Sequence, residues 1–287
     1  MSISEIFASD FLREVILRAT VVGVLISVCS ALLGVSLVMK RYSMIGDGLS
    51  HVGYFALAIG AVAGVSAEFS AEAAIPIVIL AAIIILKLDE SPRISGDAAC
   101  AIVSTGSVAI GTLIFGVAGT STADICSSLF GSSSVITVTN KDVVLSVCLT
   151  VVVITWFVLF YRQIFAVTFD SQFATAVGCR GGVIKTALAV LTAVTIVVGM
   201  KMMGAIMISA LIVFPAMASV QLCRSFKGVI ICSAVTSALC FIGGFTAACL
   251  LSLQTGAAVV TAELIVFILF CVTARIRSYI GRRKAGA

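Results

Sequence analysis

Residues 40–60 read Lys-Arg-Tyr-Ser-Met-Ile-Gly-Asp-Gly-Leu-Ser-His-Val-Gly-Tyr-Phe-Ala-Leu-Ala-Ile-Gly, and the interpretation of the chain starts from this stretch. It contains the only histidine of the protein, His51, four residues after Asp47 at the start of a long apolar run. Helix positions four apart lie on one face, about 5–6 Å apart at Cβ, so the carboxylate and the imidazole can face the same ligand. Ser50 and Tyr54 extend this polar stripe. An Asp inside a membrane helix costs about 2.5–3.5 kcal/mol on insertion scales, so the pair indicates a functional site.

The composition predicts an all-α polytopic membrane protein. Apolar residues make up 61% of the chain and charged residues 11%, whereas globular proteins have about 25% charged residues. The 287 residues leave no room for a separate soluble domain beside the spans, so residues 1–287 are predicted to be one transmembrane domain. The ten cysteines lie mostly in apolar runs without a C-x-x-C pair, and are interpreted as small hydrophobic residues.

About nine membrane spans are predicted, with a range of eight to ten, because each span needs about 20 mostly apolar residues. The connection near Lys201 must be very short. The predicted spans are Ala19–Met39, Ile45–Val65, Ala71–Leu88, Ala98–Ala118, Val143–Tyr161, Val183–Met200, Met202–Gln221, Val229–Leu253 and Ala257–Ala274.

The distribution of basic residues predicts the orientation, because cytoplasmic loops are enriched in Lys and Arg. With the N-terminus outside and the C-terminus inside, fourteen of the 18 basic residues are cytoplasmic. Residues 275–287 then form a basic cytoplasmic tail, and residues 1–18 are expected to form an outer interfacial helix. Asp47 and His51 lie within the membrane, nearer to its cytoplasmic side.

Two stretches outside the spans are long enough to have a function. Thr120–Asp142 is rich in Ser and Thr, is predicted to be external, and is expected to lie over the outer mouth. Residues 162–182 form a predicted cytoplasmic loop. Within it, Asp170 can cap a short helix that runs through Val177 and that Gly178 can terminate. Such a helix is suited to docking another protein.

The residue types at Asp47 and His51 favour a cation site, although a hydrogen-bonded pair that only fixes the helix is the alternative. Carboxylate oxygen and imidazole nitrogen together suit Zn(II), Mn(II) or Fe(II). Two ligands cannot complete a coordination shell, but a second copy of the chain on a two-fold axis would supply two more. Glu263, deep in the last span, either lines the ion's path or is structural.

Other functions are less well supported by the sequence. No H-E-x-x-H, G-x-S-x-G or Walker A motif is present, so the chain is not expected to be an enzyme, and an ATPase, if used, must be a partner. A proton- or sodium-driven carrier that uses Asp47 and Glu263 as relays is the alternative transporter. An intramembrane enzyme with Asp47 and His51 as acid and base would lack a nucleophile.

Four motifs resemble the ABC-3 membrane permeases of ATP-binding-cassette importers for zinc, manganese and iron(II). Residues 41–51, Arg-Tyr-Ser-Met-Ile-Gly-Asp-Gly-Leu-Ser-His, are similar to the signature R-x-S-x-x-G-D-A-L-S-H, with Gly48 in place of Ala and without the Pro-Gly that commonly follows. Residues 129–132, Leu-Phe-Gly-Ser, resemble an external L-F-G segment. Residues 204–218 are similar to the helix G-x-L-L-V-S-A-L-L-I-x-P-A-A-x-A. The D-x-x-F-A-x-x-x-G coupling segment is matched by Asp170, Phe173, Ala174 and Gly178.

The resemblance implies a fold like that of type II ABC importer permeases, in the bacterial cytoplasmic membrane. It implies a homodimer, cytoplasmic ABC ATPase subunits and an extracytoplasmic metal-binding protein as partners, with no nucleic acid. Asp47 and His51 carry over as ligands of the transported metal, and no permanently bound cofactor is expected. Ser50, Tyr54 and Glu263 are possible pathway residues, although Glu263 departs from the usual apolar last span.

Overall fold

The computed structural model describes residues 10–40, 42, 44–64, 70–89, 95–119, 139–170, 174, 176, 178–251 and 253–285. These residues form ten helices and no strand. In chain order the helices are α1 Asp10–Met39, α2 Met44–Val62, α3 Ser70–Asp89, α4 Gly96–Val117, α5 Asn140–Leu159, α6 Tyr161–Phe169, α7 Gly181–Met203, α8 Ala205–Leu222, α9 Phe226–Leu251 and α10 Thr255–Ala285.

The predicted all-α polytopic fold is confirmed. In the part of the chain that the structure describes, eight helices are long and apolar enough to cross a membrane: α1, α2, α4, α5 and α7 to α10. The 20-residue helix α3, which coincides with the predicted span Ala71–Leu88, is not among these eight. The short α6, of nine residues, was not predicted as a separate helix.

Helix α1 lies at the centre of the bundle, where it packs against α5, α6, α7, α8 and α9. Its side chains Val22, Ile26, Cys29 and Leu33 are fully buried in the main hydrophobic core. The helix continues without a break from Asp10, so the described part of the predicted N-terminal segment extends the first span. By contrast, α4 and α10 lie at the periphery, with most of their apolar surface outside the protomer's core.

The turn between α7 and α8 is a single residue, so the very short connection predicted there is confirmed, but it lies at Gly204 because α7 continues through Lys201 to Met203. Gly204 caps both helices with φ 83° and ψ 159°. This positive φ is readily adopted only by glycine. The next helix therefore reverses direction with no loop, and α7 and α8 pack against each other.

A second, smaller core lies at the end of the bundle that carries most of the basic residues. It joins six helices and the segment after α6 through buried apolar side chains. These are Leu32, Val35, Phe157, Ile164, Val167, Ala174, Ile184, Ala216, Phe226 and Val229.

Candidate metal-binding site

Asp47 and His51 lie one turn apart at the start of α2 and face each other. Asp47 Oδ1 is 3.4 Å from His51 Nε2, which is longer than the usual hydrogen-bond range of about 2.7–3.2 Å. The other ring nitrogen, Nδ1 of His51, is buried and has no hydrogen-bond partner among the described residues. Buried polar atoms normally have a partner, so the imidazole retains the capacity to bind one.

The pair lies on the face of α2 that the protomer leaves partly uncovered. The side chain of Asp47 is 42% exposed and that of His51 is 17% exposed. Phe55 and Ile59 continue this half-exposed stripe at a spacing of four, while Leu49, Val52 and Tyr54 are buried. The other faces of α2 pack against α3, α4, α7 and α8. The pair therefore lies at the edge of the protomer's packed interior and is partly exposed.

Helix α4 contributes a polar neighbour that the sequence did not single out. The Ser104 hydroxyl donates to Asp47 Oδ2 at 3.4 Å. A serine within an apolar span gives no sequence signal that distinguishes it from the many hydroxyls that bond to their own helix. The other oxygen of Asp47 faces His51, so the carboxylate is positioned from two helices.

Ser50 and Tyr54, the possible pathway residues of α2, are both fully buried. The Ser50 hydroxyl donates to the backbone carbonyl of Asp47 at 2.8 Å, and the Tyr54 hydroxyl is 3.4 Å from Oγ1 of Thr112. Both side chains therefore face the packed side of the helix. Their participation in the ion's path stays a prediction.

Glu263 is buried in a different part of the bundle. Its side chain lies on α10, is 2% exposed, and neither carboxylate oxygen has a hydrogen-bond partner among the described residues. Helix α10 packs mainly against α8 and α9. The structure therefore does not bring Glu263 to Asp47 and His51.

The contact between α2 and α4 is held close by a glycine. A Cβ on Gly111 would lie 2.9 Å from the Tyr54 ring and 3.2 Å from the Phe55 Cα. At Gly48, where the family signature has Ala, a Cβ would lie 3.5 Å from the Cys100 carbonyl oxygen, an ordinary contact. The missing methyl group at Gly48 therefore does not change how α2 packs beside the pair.

The segment predicted to couple to an ATPase is anchored in the second core. Asp170 is exposed and follows α6, and the amide of Ala174 donates to the Asp170 carbonyl at 3.0 Å. Ala174 is 0% exposed. Gly178 has φ 84°, and the amide of Cys179 donates to the Ala174 carbonyl at 2.9 Å, the pattern of a glycine-terminated helix end. Phe173 lies outside the described residues.

In the part of the chain that the structure describes, Asp47 and His51 have no third side chain beside them that could complete a metal site. Among the described residues, no group of three or more His, Cys, Asp or Glu side chains is placed to hold a metal ion. The external loop predicted to lie over the outer mouth falls almost entirely outside the described residues.

The family model of the ABC 3 transport family matches residues 12–274. The chain belongs to this family. The match covers α2 to α9 in full and most of α1 and α10, and the resemblance noted in the sequence is confirmed.

Relatives in the family are named for metal uptake. The high-affinity zinc uptake system membrane protein ZnuB of Haemophilus influenzae is 25% identical over 256 residues, 89% of this chain and 96% of the relative. The manganese import system permease protein ScaB of Streptococcus gordonii is 25% identical over 273 residues, 95% of each chain. These similarities do not support the alternative of a proton- or sodium-driven carrier.

A solved structure shares the fold. The structure of PsaBC from Streptococcus pneumoniae in complex with Fab matches with a TM-score of 0.79 and 24% identity, and the match covers 93% of each chain. The helical arrangement described above is therefore found in an experimentally determined protein.

Proposed function

We propose that the chain is the membrane permease subunit of an ABC importer for a divalent transition-metal ion. The observation that carries the proposal is the Asp47–His51 pair, which lies in the first two turns of a family-matched span and is partly exposed at the protomer's surface. The pair offers one carboxylate oxygen and one imidazole nitrogen, the donors that suit Zn(II), Mn(II) and Fe(II). The ion is the cargo, and no resident cofactor is proposed.

The ion passes at a seam between two copies of the chain. The uncovered stripe of α2, which contains Asp47, His51, Phe55 and Ile59, supports this, because a second copy facing it on a two-fold axis would bring four donors together. A shell built from two halves can open when the copies separate. Such a site holds an ion and also releases it, as transport requires.

The orientation places the N-terminus outside and the C-terminus inside, with α3 as the ninth span. This arrangement puts fourteen of the 18 basic residues on the cytoplasmic side. An external metal-binding protein would deliver the ion to the outer mouth, over which residues 120–142 would lie. Asp47, in the first turn of α2, is then close to the cytoplasmic end of the path.

ATP hydrolysis by partner subunits would act through Asp170, Phe173, Ala174 and Gly178. Ala174 packs in the second core with Ala216 of α8. One turn before Ala216 is Ile212, whose Cδ1 lies 3.3 Å from the position of a Cβ on Gly46, beside Asp47. Helix α8 therefore extends from the second core, which contains Ala174, to Gly46 beside the metal pair.

Metal uptake by reconstituted transporter tests the proposal. Vesicles that contain the chain with its ATPase are loaded with ATP, and uptake of Zn(II), Mn(II) and Fe(II) is compared for wild type, His51→Ala and Asp47→Asn. Loss of a ligand is expected to reduce uptake on the order of 100-fold or more, because loss of an outer-shell partner alone typically costs 10–100-fold. ATPase co-purification is expected to persist.

Thr261→Ala is the matched control, because its hydroxyl only donates to the Ala257 carbonyl on the exposed side of α10. Bound metal in the purified, ATPase-bound complex should approach one ion per two permease chains and be lost in His51→Ala. Unchanged uptake by His51→Ala would show that the histidine is structural. One tightly bound ion per chain would exclude the shared site.

A further inference from the structure

The exposed side of α6 carries an aromatic stripe that the proposed transport cycle does not use. Tyr161, Phe165 and Phe169 are spaced by four on this nine-residue helix, while Ile164, Val167 and Thr168 face the second core. Phe165 and Phe169 are 43% and 56% exposed. The helix is therefore amphipathic, with aromatic rings rather than charges on much of its outer surface.

The rings form a cluster with Phe226 at the start of α9. Ring centroids lie 4.8 Å apart for Phe165 and Phe169, 5.4 Å for Phe165 and Phe226, and 5.7 Å for Tyr161 and Phe226. Such contacts fix the rings relative to each other. The cluster is thus one surface made from α6 and α9, and Phe169 is adjacent to Asp170 of the coupling segment.

Basic residues surround the aromatic cluster. Lys227 Nζ lies 5.7 Å from the Tyr161 ring centroid, and the side chains of Arg162 and Arg224 are exposed. Between residues 143 and 262 the only acidic residue is Asp170, and Lys201 lies at the opposite end of α7. The five other basic residues lie at this end: Arg162, Arg180, Lys185, Arg224 and Lys227. This end of the molecule therefore attracts anions.

The cluster is continuous with surfaces that face lipid. Val158 and Leu159, at the end of α5, are 70% and 73% exposed immediately before Tyr161, and Ile231 of α9 is 64% exposed one turn after Lys227. In a membrane protein such apolar side chains on spans contact acyl chains. Aromatic rings followed by basic residues, where an apolar face ends, mark the level of the headgroups.

We propose that α6 and the start of α9 form an interfacial anchor that lies in the headgroup layer and binds anionic lipid. The exposed rings of Phe165 and Phe169, which pack on the buried ring of Phe226, enter the boundary with the acyl chains, and Arg162, Arg224 and Lys227 contact lipid phosphates. The anchor holds the segment that starts at Asp170 at a fixed depth. Only this consequence for coupling depends on the proposed function.

Depth-dependent fluorescence quenching tests the anchor on the chain alone, without ATPase or metal. Trp156 is the only tryptophan, so Trp156→Phe provides a silent background into which Phe169→Trp is introduced. The protein is reconstituted into phosphatidylcholine–phosphatidylglycerol nanodiscs that contain lipids brominated near the headgroup or near the acyl-chain end. Iodide serves as the aqueous quencher.

The indole introduced by Phe169→Trp is expected to be quenched at least about twofold more by bromines near the headgroup than by bromines near the acyl-chain end. The reason is that the apolar face of an interfacial helix enters the bilayer by only about 5–10 Å. Leu239→Trp, on the exposed apolar face of α9, should respond more to deep bromines. Gln163→Trp, on the exposed polar part of α6, should respond most to iodide. Monodisperse elution of each variant confirms folding.

A second measurement tests the lipid charge. Quenching of the Phe169→Trp indole should be stronger when only phosphatidylglycerol is brominated than when only phosphatidylcholine is brominated. The double variant Arg162→Gln/Lys227→Gln should lower this preference for phosphatidylglycerol by about fivefold per lost charge. Strong iodide quenching of the Phe169→Trp indole without bromolipid quenching overturns the anchor. Protection from iodide only after addition of the ATPase would also overturn it, in favour of a protein-docking surface.

Discussion

Gly34 of α1 lies so close to Ile212 of α8 that a Cβ added to Gly34 would come within 2.0 Å of the Ile212 carbonyl oxygen. The two helices therefore meet backbone to backbone at this point, which only a glycine permits. The same residue of α8 lies beside Gly46, next to Asp47. The crossing thus fixes α1, α8 and the start of α2 relative to one another.

Gly34→Ala is expected to destabilise the protein strongly. The clash is with a backbone atom, which cannot rotate away, so the cost should reach or exceed the upper end of the roughly 1–3 kcal/mol typical of overpacking. Thermal unfolding in detergent measures the effect. Gly243→Ala is the control, because a Cβ there meets no atom within 4 Å. Equal melting temperatures for the two variants would contradict the close crossing.

Gly48→Ala is expected to stabilise the protein without loss of metal uptake. Alanine in a helix is favoured over glycine by about 0.5–1 kcal/mol, and the new Cβ would lie 3.5 Å from the Cys100 carbonyl oxygen. The measurements are melting temperature and vesicle uptake. Gly111→Ala, on the α4 side of the contact between α2 and α4, is expected to lower the melting temperature and the uptake, because its Cβ would meet the Tyr54 ring at 2.9 Å. Lower stability of Gly48→Ala would show that α2 and α4 pack more tightly than described.

Lys201→Met is expected to destabilise the link between α5 and α7. Lys201 Nζ donates to Asp142 Oδ1 at 3.2 Å, while Asp142 Oδ2 accepts from the Thr139 amide at 2.9 Å. Asp142 is buried, so loss of the cation should cost about 1–3 kcal/mol. Chemical denaturation of the single variants and of the double variant Lys201→Met/Asp142→Asn provides the measurement. If the decrease in the free energy of unfolding of the double variant equals the sum of the decreases of the two single variants, the two side chains are not coupled.

Glu263→Gln is expected to retain metal uptake and to leave stability unchanged or raised. The carboxylate is buried on α10 without a hydrogen-bond partner among the described residues, and an unpaired buried charge is unfavourable. Vesicle uptake and melting temperature are measured together. Glu263→Lys, which places a positive charge in the same site, is the destabilising comparison. Loss of uptake by a well-folded Glu263→Gln variant would assign Glu263 to the ion's path.

Much of the fold follows from apolar runs of sufficient length. The predicted span Val229–Leu253 agrees with α9, Phe226–Leu251, to within three residues at each end. The predicted very short turn near Lys201 exists, three residues later, at Gly204. The helix end at Gly178 was also predicted, because glycine after a short helix adopts positive φ. These features are local, and local features are encoded in neighbouring residues.

The parts that could not be predicted depend on contacts between distant residues. The sequence places Ser104 on a span but does not show that it reaches Asp47, and it places Glu263 deep in the last span without showing its distance from the pair. The aromatic cluster of α6 also needs Phe226, which is separated from Phe169 by 56 intervening residues in sequence. Spans without strong amphipathic patterns do not specify their own neighbours.

The sequence by itself determined a helical membrane protein of the ABC 3 transport family with one carboxylate and one imidazole a turn apart, because hydrophobic length and helical spacing are properties of a single segment. Only the tertiary structure decided that this pair is partly exposed at the protomer's surface, that Glu263 lies elsewhere and that α8 extends from the second core to Gly46. Those relations arise from how the helices pack, and packing depends on the shapes of surfaces that residues far apart in the chain create together.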